Sequence, residues 1–344
     1  MPPISAPKSA VVDLLDRQLI HSLQIDPRIS FSRAAEVLGV SEQTVARRYR
    51  RLRGDGVVRV IGVVDPRRIG QSDWVIRVQV RPDGTARLAA ALTRRDDVAW
   101  VSVSSGGSEI IGSVRSRTRE QRDDLLSQRL PRTAPVLGMA AYVILHHFRA
   151  RSEPKLINIG EVLSAQQVDA LRPAVSQDSE PATLTAADEP LLAVLAGDGR
   201  ASLAQLARAC GQSEGRTARR LAALRDSGAL YFDVDLATGL LGLGTAAHLW
   251  LTVVPHRLAA VGDQLAALPE VEFIAAVTGA ANLFASVVCR DLDALYDLIT
   301  NDLGVIDGVV ALEVSPVSHR LKQSGALMDG DRLAHPAPRR APAR

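Results

Sequence analysis

Aromatic residues are scarce in this chain and make up 3% of its 344 positions. Proteins that hold single-stranded nucleic acid stack its bases on aromatic rings, so the scarcity argues against that kind of binding. Hydrophobic residues still account for 47% of the sequence. We therefore expect cores built from Ala, Val, Leu and Ile, and at this length two or more domains.

Cysteine is nearly absent, since only Cys210 and Cys289 occur and they form no CxxC pair. This predicts a reducing compartment and no disulfide framework. The N-terminus MPPISAPKSA lacks the apolar run of a signal peptide. The sequence also has no stretch of about 18 apolar residues that would cross a membrane, so we expect a cytoplasmic protein with no membrane partner.

Groupings of catalytic residues are missing as well. No Ser/His/Asp or Cys/His set stands out, and the seven histidines are scattered. The adjacent His146 and His147 would point to opposite faces of a strand and could not chelate one metal together. We expect no enzyme, no bound metal and no cofactor.

An excess of one charge sign is lacking too, because 41 basic and 38 acidic residues leave a net charge of +3. The overall charge therefore does not identify a nucleic-acid binder. The distribution of charge along the chain has to decide that question.

What the sequence does contain is an internal repeat. A shift of 172 places residues 16–58 over residues 188–230 without a gap, so that Ala46-Arg47-Arg48 meets Ala218-Arg219-Arg220. A shift of 173 continues the match, with Gly106 over Gly279. Chance does not preserve one register over that length, and the pattern predicts a duplication.

The start of the first copy has the pattern of a helix-turn-helix. Ser30 is placed to cap a short second helix, and Gly39 suits a left-handed turn. Ser41 is placed to cap a third helix that runs to about Asp55. A short helix, a glycine turn and a second capped helix form this motif. The β-branched segment after it predicts a strand or wing.

The third helix is rich in arginine, which neutralises phosphate and can bind guanine with two hydrogen bonds. Our hypothesis is that Gln43, Thr44 and Arg47 contact bases, while Arg48 and Arg51 hold phosphates. The alternative is that this helix is merely a solvated face. The predicted DNA-binding residues are Ser41, Glu42, Gln43, Thr44, Arg47, Arg48, Arg50, Arg51 and Arg53.

The second copy has the same frame with weaker chemistry. Its third helix has Gly215 where the first copy has Gln43, and alanine replaces two of the arginines. It either binds a different half-site or serves mainly as a structural partner. Its predicted DNA-binding residues are Ser213, Arg216, Arg219 and Arg220.

Each copy continues with strands and helices in the order β-α-β-β-α-β, the ferredoxin-like arrangement. The predicted fold class is α+β, with two tandem units that each join a winged helix-turn-helix domain to a ferredoxin-like domain. The predicted segments are 11–66 (first helix-turn-helix domain), 72–148 (first ferredoxin-like domain), 149–183 (linker, with a short helix from Ser164 to Leu171), 184–238 (second, degenerate helix-turn-helix domain), 246–320 (second ferredoxin-like domain) and 321–344 (disordered tail).

The segment LDRQLIHSLQIDPRISFSRAAEVLGVSEQTVARRYRRLRGDGVV resembles the N-terminal pattern of the Lrp/AsnC, or feast/famine, family of regulators. The Asp-x-Arg-Ile/Ala-Ser sequence at 26–30 and 198–202 is similarly typical, and the doubled arrangement resembles tandem versions of the family. The resemblance implies homo-oligomers formed through the αβ domains. It also implies binding to imperfect palindromes and an amino acid or related effector held between αβ domains.

The resemblance further implies an effector loop in each copy. The family usually has Asp where Glu109 and Asn282 stand, and Asn282 lacks the charge that would accept from an amino group. The alternative is that the glycines of these loops only form tight β-turns. The residues implied for effector binding are Ser105, Gly106, Gly107 and Glu109 in the first copy and Thr278, Gly279 and Asn282 in the second.

We therefore predict a sequence-specific DNA-binding transcription regulator that binds double-stranded promoter half-sites and is modulated by a small effector. Two alternatives stay open. One is an architectural DNA-binding protein of low sequence specificity, and the other, less favoured, is a small-molecule-binding enzyme.

Overall fold

The computed structural model describes residues 12–66, 71–115, 119–148, 157, 159–160, 162–173 and 183–334. The predicted mixed α+β class, with helix-turn-helix parts and αβ parts, is confirmed. No helix within these ranges is long and apolar enough to cross a membrane.

The first three helices form the predicted helix-turn-helix part. The side chain of Ser30 accepts from the Arg33 amide, and that of Ser41 accepts from the Thr44 amide. Gly39 ends the second helix in the left-handed region at φ +67°. Both caps and the turn are therefore confirmed. The elements are α1 (Leu14–Ile25), α2 (Phe31–Leu38), α3 (Glu42–Gly54) and β1 (Val58–Val64).

The next part alternates strands with helices. Its second helix continues as π-helical turns over 124–129. The elements are β2 (Trp74–Val80), α4 (Thr85–Thr93), β3 (Val98–Ser104), β4 (Glu109–Val114), α5 (Arg119–Asp123) and β5 (Val136–His147).

Part of the segment predicted as a linker, 149–183, is folded onto the first helices. It contains α6 (Ala165–Leu171), whose Leu171 is 2% exposed within the core of the first helical part. The Arg17 guanidinium of α1 donates to the carbonyl of Ile159 over 2.9 Å. The described part of the segment therefore packs against the first helix-turn-helix, because Ile157, Ile159 and Leu171 bury their apolar side chains in its core.

A second set of three helices and a strand follows residue 183. Its caps repeat those of the first set, with Ser202 before the second helix and Ser213 before the third, and Gly211 adopts φ +62°. The elements are α7 (Glu189–Gly197), α8 (Leu203–Cys210), α9 (Glu214–Asp226) and β6 (Leu230–Leu236).

The last part again alternates strands and helices, and its second helix ends in π-helical turns over 298–303. Two short strands follow it. The elements are β7 (Thr245–Val253), α10 (Leu258–Ala266), β8 (Val271–Val277), β9 (Leu283–Cys289), α11 (Leu292–Asp297), β10 (Val309–Gln323), β11 (Ala326–Asp329) and β12 (Arg332–Leu333).

The predicted disordered tail, 321–344, is wrong as far as residue 334, because strands occupy most of that stretch. Leu333 is 4% exposed, and its amide donates to the carbonyl of Gly56 over 2.8 Å. This apolar side chain anchors the short strand β12 next to the C-terminus of α3. Residues 335–344 lie outside the described residues.

The strands of the two αβ parts form one closed barrel instead of two separate sheets. The order around it is β10-β3-β4-β2-β5-β8-β9-β7, and β7 returns to β10. The two seams are the pairs β5–β8 and β10–β3. A closed sheet leaves no unpaired edge, so the two αβ parts fold as one body.

Side chains alternate between the two faces of the barrel wall. Leu249 and Leu251 of β7 pack in the core shared with α10, whereas Trp250 between them packs on the inner face. There the rings of Trp250 and Phe284 lie 4.6 Å apart. The helices therefore cover the outside, and aromatic side chains fill part of the interior.

The strands that follow α3 and α9 pair with each other and form a two-stranded antiparallel ribbon. Val58 lies opposite Leu236 and Val64 opposite Leu230. At the centre of the ribbon Ile61 lies opposite Asp233, and these two residues correspond to each other under the shift of 172. We predicted a wing for each helix-turn-helix, but the two strands satisfy each other's backbone groups. The ribbon therefore relates the two helical parts by a local twofold axis.

Gly199, just after α7, approaches this ribbon closely. A Cβ there would lie 2.8 Å from the backbone N and C of Ile61, and the Gly199 amide donates to the Val60 carbonyl over 2.8 Å. We expect Gly199→Ala to lower the free energy of unfolding by about 1–3 kcal/mol, measured by urea titration. Gly197→Ala is the control, since a Cβ there meets nothing within 4 Å. Equal losses in both variants would contradict the close approach.

Candidate nucleic-acid interface

The third helix of the first part, α3, presents a polar face and buries the opposite one. Val45, Tyr49 and Leu52 are buried in the core. Gln43, Arg47 and Arg50 follow one another at helical spacing and are exposed. This outward stripe is here called the reading face, and it is open to solvent in the structure.

The start of α3 is ordered by its own cap. Ser41 and Thr44 join their hydroxyls over 2.9 Å, and the Thr44 amide donates to Ser41 Oγ over 3.2 Å. Glu42 is exposed in the first turn. The hydroxyls of Ser41 and Thr44 are thus engaged in capping, while Glu42 and Gln43 project to solvent.

Arg48 and Arg51 are held against α1 instead of projecting from the reading face. One nitrogen of Arg48 lies 2.6 Å from a carboxylate oxygen of Asp13 and 2.9 Å from one of Asp16. Arg51 also contacts Asp16, which is fully buried. The hydrogen bond from Arg48 is the main reason that the pKa of Asp13 lies below its usual value. These arginines tie α3 to α1 in the structure.

Arg53, at the end of α3, reaches across to the second helical part. Its guanidinium lies 2.9 Å from the carboxylate of Asp198. Arg50, by contrast, only donates to the carbonyl of Ala46 one turn earlier over 3.2 Å. Of the five arginines on α3, Arg47 and Arg50 are therefore the two that have no ion pair among the described residues.

The third helix of the second part, α9, repeats this division. Ser213 caps it by accepting from the Arg216 amide, and Arg216 and Arg219 are exposed. Arg220, the counterpart of Arg48, donates to Asp188 over 2.6 Å. Burial acts to raise the pKa of Asp188, but the hydrogen bonds from Arg220 and Thr185 outweigh it and leave the pKa lowered.

Two further arginines, missing from the predicted sites, lock the helical parts together. Arg28 donates to the carbonyls of Gly199 (2.5 Å) and Ala201 (3.3 Å). Arg200 returns the contact to the carbonyls of Pro27 (2.8 Å) and Ile29 (2.7 Å). The matching Asp-x-Arg sequences of the two copies were the sequence signal for these two arginines, but they did not show which residues the arginines contact.

The reciprocal contacts of Arg28 and Arg200 are here called the clasp. Each of these two arginines also lies over an aromatic ring. The Arg200 guanidinium is 4.5 Å from the Phe31 ring centre, and that of Arg28 is 5.0 Å from the Phe232 ring centre. Burial lowers the pKa of both arginines. Carbonyls and rings are suitable partners for a desolvated guanidinium, so the clasp fixes the spacing of the two helical parts.

The loop implied for effector binding in the first copy, 105–109, is engaged internally. Glu109 is 4% exposed, and its carboxylate accepts from Arg77 Nε over 2.6 Å and from the Ser315 hydroxyl of β10 over 3.0 Å. Ser105 donates to the same carboxylate over 3.3 Å. Gly106 and Gly107 both adopt positive φ, and a Cβ on either would meet nothing within 4 Å. These four residues form a turn at the seam between β3 and β10.

The corresponding loop in the second copy lies at the other seam. Thr278 joins Val143 of β5, because its amide donates to the Val143 carbonyl and its hydroxyl accepts from the Val143 amide. The Asn282 side chain bonds both the amide (2.8 Å) and the carbonyl (2.7 Å) of Val253. A Cβ on Gly279, at φ +110°, would lie 2.8 Å from the Tyr142 ring. This loop therefore pins the two αβ parts together.

Three family models match separate parts of the chain. An AsnC-type helix-turn-helix domain matches residues 12–53, a winged helix-turn-helix DNA-binding domain matches residues 186–230, and the Lrp/AsnC ligand binding domain matches residues 246–327. The first two cover α3 and α9, and the third covers the second αβ part.

The regulator AldR of Mycolicibacterium smegmatis is 30% identical over 146 residues, which is 85% of AldR and 41% of this chain. The chain belongs to the Lrp/AsnC family of transcriptional regulators. The regulator LrpA of Pyrococcus abyssi is 26% identical over its whole length, which is 40% of this chain. This Lrp/AsnC protein is thus more than twice as long as the part that these relatives match.

One solved structure resembles almost the whole Lrp/AsnC chain. The siroheme decarboxylase NirDL superposes with a TM-score of 0.59 over 90% of this chain and 93% of its own, at 16% identity. At that identity the likeness shows a shared fold alone.

We expect Arg48→Ala to lower the free energy of unfolding by about 1–3 kcal/mol at neutral pH, because a buried carboxylate loses a partner. Urea unfolding measures the change. Arg47→Ala is the matched control, since the neighbouring Arg47 is exposed and pairs with no described residue, and it should change stability by less than about 0.5 kcal/mol.

The difference between wild type and Arg48→Ala should shrink as the pH falls below about 4. The pKa of Asp13 is lowered in the folded state, so the stability it contributes is present above the carboxylate's ordinary pKa and is lost as the pH falls through the lowered one. A difference that stayed constant from pH 7 to pH 3 would contradict the assignment.

Proposed function

We propose that this chain is a tandem duplication of an Lrp/AsnC unit and that it binds promoter DNA with two unequal helix-turn-helix heads held at a fixed spacing. The observation that carries the proposal is the twofold joint between the heads. The ribbon of β1 and β6 and the clasp of Arg28 and Arg200 set the positions of α3 and α9 within one chain.

Twofold-related recognition helices suit the half-sites of a palindromic operator, which lie about 34 Å apart when one helical turn separates them. In most regulators that read such operators, two chains supply the two helices. Here a single chain carries both, so its two heads are free to differ. We infer that the operator is an imperfect palindrome.

The heads differ most on the reading face. In α3 the stripe is Gln43, Arg47 and Arg50, all exposed, whereas α9 offers Gly215, Arg219 and Ala222 at the matching positions. A guanidinium and a carboxamide contact base edges, and glycine and alanine offer no polar group for this. The first head therefore carries most of the sequence preference, and Arg219 with Arg216 serves a weaker half-site.

Arg48 and Arg51 take a different role from the phosphate contacts that we first assigned to them. Arg48 is paired with both Asp13 and Asp16, and Arg51 is paired with Asp16. Phosphate binding would have to compete with these carboxylates. We assign them to orienting α3, and we keep base and phosphate contact for Gln43, Arg47 and Arg50.

The αβ barrel is proposed as the effector-binding and assembly part. Support for a ligand comes from the match to the Lrp/AsnC ligand binding domain. Support for association of chains comes from Leu137 and Val310, which are 67% and 66% exposed at equivalent positions of β5 and β10. Catalysis is not part of the proposal, because the sequence relatives are regulators.

Measurements of DNA affinity can distinguish the contributions of the two heads. Using a fragment of the gene's own upstream region protected in footprinting, we expect Arg47→Ala to weaken binding by about 1–3 kcal/mol and to relax base preference at one position. Arg219→Ala, the matched change on the other head, should cost clearly less. Fluorescence anisotropy at one fixed salt concentration measures both.

Arg129→Ala is the control for charge alone, since Arg129 is exposed and distant from both heads in the chain. A ratio of specific to non-specific affinity near one would support the architectural alternative. Absence of protection under every condition would contradict DNA regulation. Equal losses for Arg47→Ala and Arg219→Ala would contradict the unequal heads.

A further inference from the structure

A cavity of about 170 Å³ lies where the barrel meets the ribbon that joins the two heads. Val63 of β1 and Tyr231 and Asp233 of β6 contribute to its wall, together with strands from both αβ parts. None of the residues implied for effector binding lines it. The cavity is therefore a different place from the loops 105–109 and 278–282.

The cavity lies on the axis that relates the two αβ parts. Much of its wall consists of residues that correspond to one another under the shift of 173. These pairs are Val75 and His248, Trp100 and Phe273, Ile111 and Phe284, Ser113 and Ser286, and His147 and Arg320. A cavity on the axis occurs once per chain, and the differing residues make its two sides chemically unlike.

One component of the wall is flat and apolar. Trp100, Phe273 and Phe284 contribute aromatic rings, and Ile111 and Ile144 contribute aliphatic groups. A cavity of roughly 150 Å³ lined by apolar groups holds benzene, so this one has room for a single ring or a small fused pair. Aromatic walls favour a planar guest that offers its faces and edges to them.

His248 contributes an unsatisfied acceptor. The Ser102 hydroxyl donates to the Ile111 carbonyl over 3.1 Å and lies 2.8 Å from His248 Nε2. Ser102 has one proton to give, so Nε2 must donate to it and Nδ1 must carry the lone pair. Burial lowers the pKa of His248 to about 3, which keeps the ring neutral.

The Nδ1 atom of His248 is buried and has no hydrogen-bond partner among the described residues, and the residue as a whole is 8% exposed. A buried acceptor without a donor costs about 1–3 kcal/mol. A ligand that brings an N–H or O–H group to this atom would recover that free energy.

The wall also carries two guanidinium groups, which differ in how firmly a neighbouring carboxylate holds them. Arg320 is 11% exposed and is held by both carboxylate oxygens of Glu272, one of them at 3.1 Å. Arg115 is 27% exposed, and its Nε is 3.5 Å from Asp73 and makes no hydrogen bond there. Arg115 is therefore the cation that can turn to a carboxylate entering from solvent.

We propose that this cavity binds one small planar aromatic carboxylate per chain, with the ring against Phe273, Phe284 and Trp100, the carboxylate on Arg115, and an N–H or O–H group on His248 Nδ1. The ligand would touch Val63 and Tyr231 of the ribbon, so its binding changes the affinity for DNA. That last consequence rests on the proposed DNA-binding function.

Isothermal titration of the full chain with 4-hydroxybenzoate and with indole-3-carboxylate tests the site without DNA. We expect one molecule per chain for at least one of these probes. Benzoate, which lacks the donor, and indole, which lacks the carboxylate, should each bind at least about tenfold more weakly than the matching probe. No binding of either probe, or equal binding of the truncated compounds, overturns the proposal.

Variants then locate the site. Arg115→Gln and His248→Phe should each weaken the probe at least about tenfold, and the phenyl ring keeps the packing that His248 makes on Phe284. The matched controls are Arg290→Gln and His256→Phe, which change exposed residues outside the cavity. Unchanged affinity in both cavity variants overturns the proposal. If His248→Phe does not fold, the proposal is tested by Arg115→Gln and by comparing 4-hydroxybenzoate with benzoate on the wild-type chain.

DNA affinity measured with and without saturating probe tests the coupling, and we expect a change of at least about fivefold. Probe binding without any change in DNA affinity overturns the coupling. A chain that binds the probe but never binds DNA would refute the proposed function and leave the site standing.

Discussion

The antiparallel pairing of β1 with β6 is the contact on which the arrangement of this molecule depends. A lone strand after a recognition helix would leave its backbone donors and acceptors unpaired. Here each such strand is completed by its counterpart, and Ile61 and Asp233 meet at the axis. Arg28 and Arg200 add four side-chain bonds to carbonyls across the same joint. The two helical parts therefore have one spacing and not a range of spacings.

The barrel applies the same principle on a larger scale. Each αβ part contributes two edge strands, and β5 and β10 close onto β8 and β3. The glycine-containing loops lie at these seams, where Glu109 bonds Ser315 and Thr278 bonds Val143. Loop residues that resemble an effector site by sequence are used here to join the halves. The cavity that remains accessible lies on the axis that relates the two αβ parts, beside the ribbon of β1 and β6.

The arginines of α3 show how one residue type divides into several roles within fifteen positions. The direction of each side chain decides its role, since Arg48 and Arg51 face the buried carboxylate of Asp16 while Arg47 and Arg50 face solvent. Helical spacing separates Arg47 from its neighbours in direction but says nothing about what stands opposite. A count of positive charge along the helix overstates what DNA can meet.

The sequence by itself determined the local structure and the family. Ser30, Gly39 and Ser41 act over three or four residues, so short-range chemistry was enough to place the caps and the turn. The repeat and the first-head pattern were readable because they are properties of order along the chain. The short helix at 164–171 was predicted, but its packing on the first helices was not, and the tail prediction was wrong up to residue 334, because the burial of Leu171 and Leu333 depends on residues from distant parts of the chain. Only the tertiary structure decided the closed barrel, the twofold joint, the partners of Arg48 and the cavity on the axis, since each arises from contacts between residues that no local pattern links.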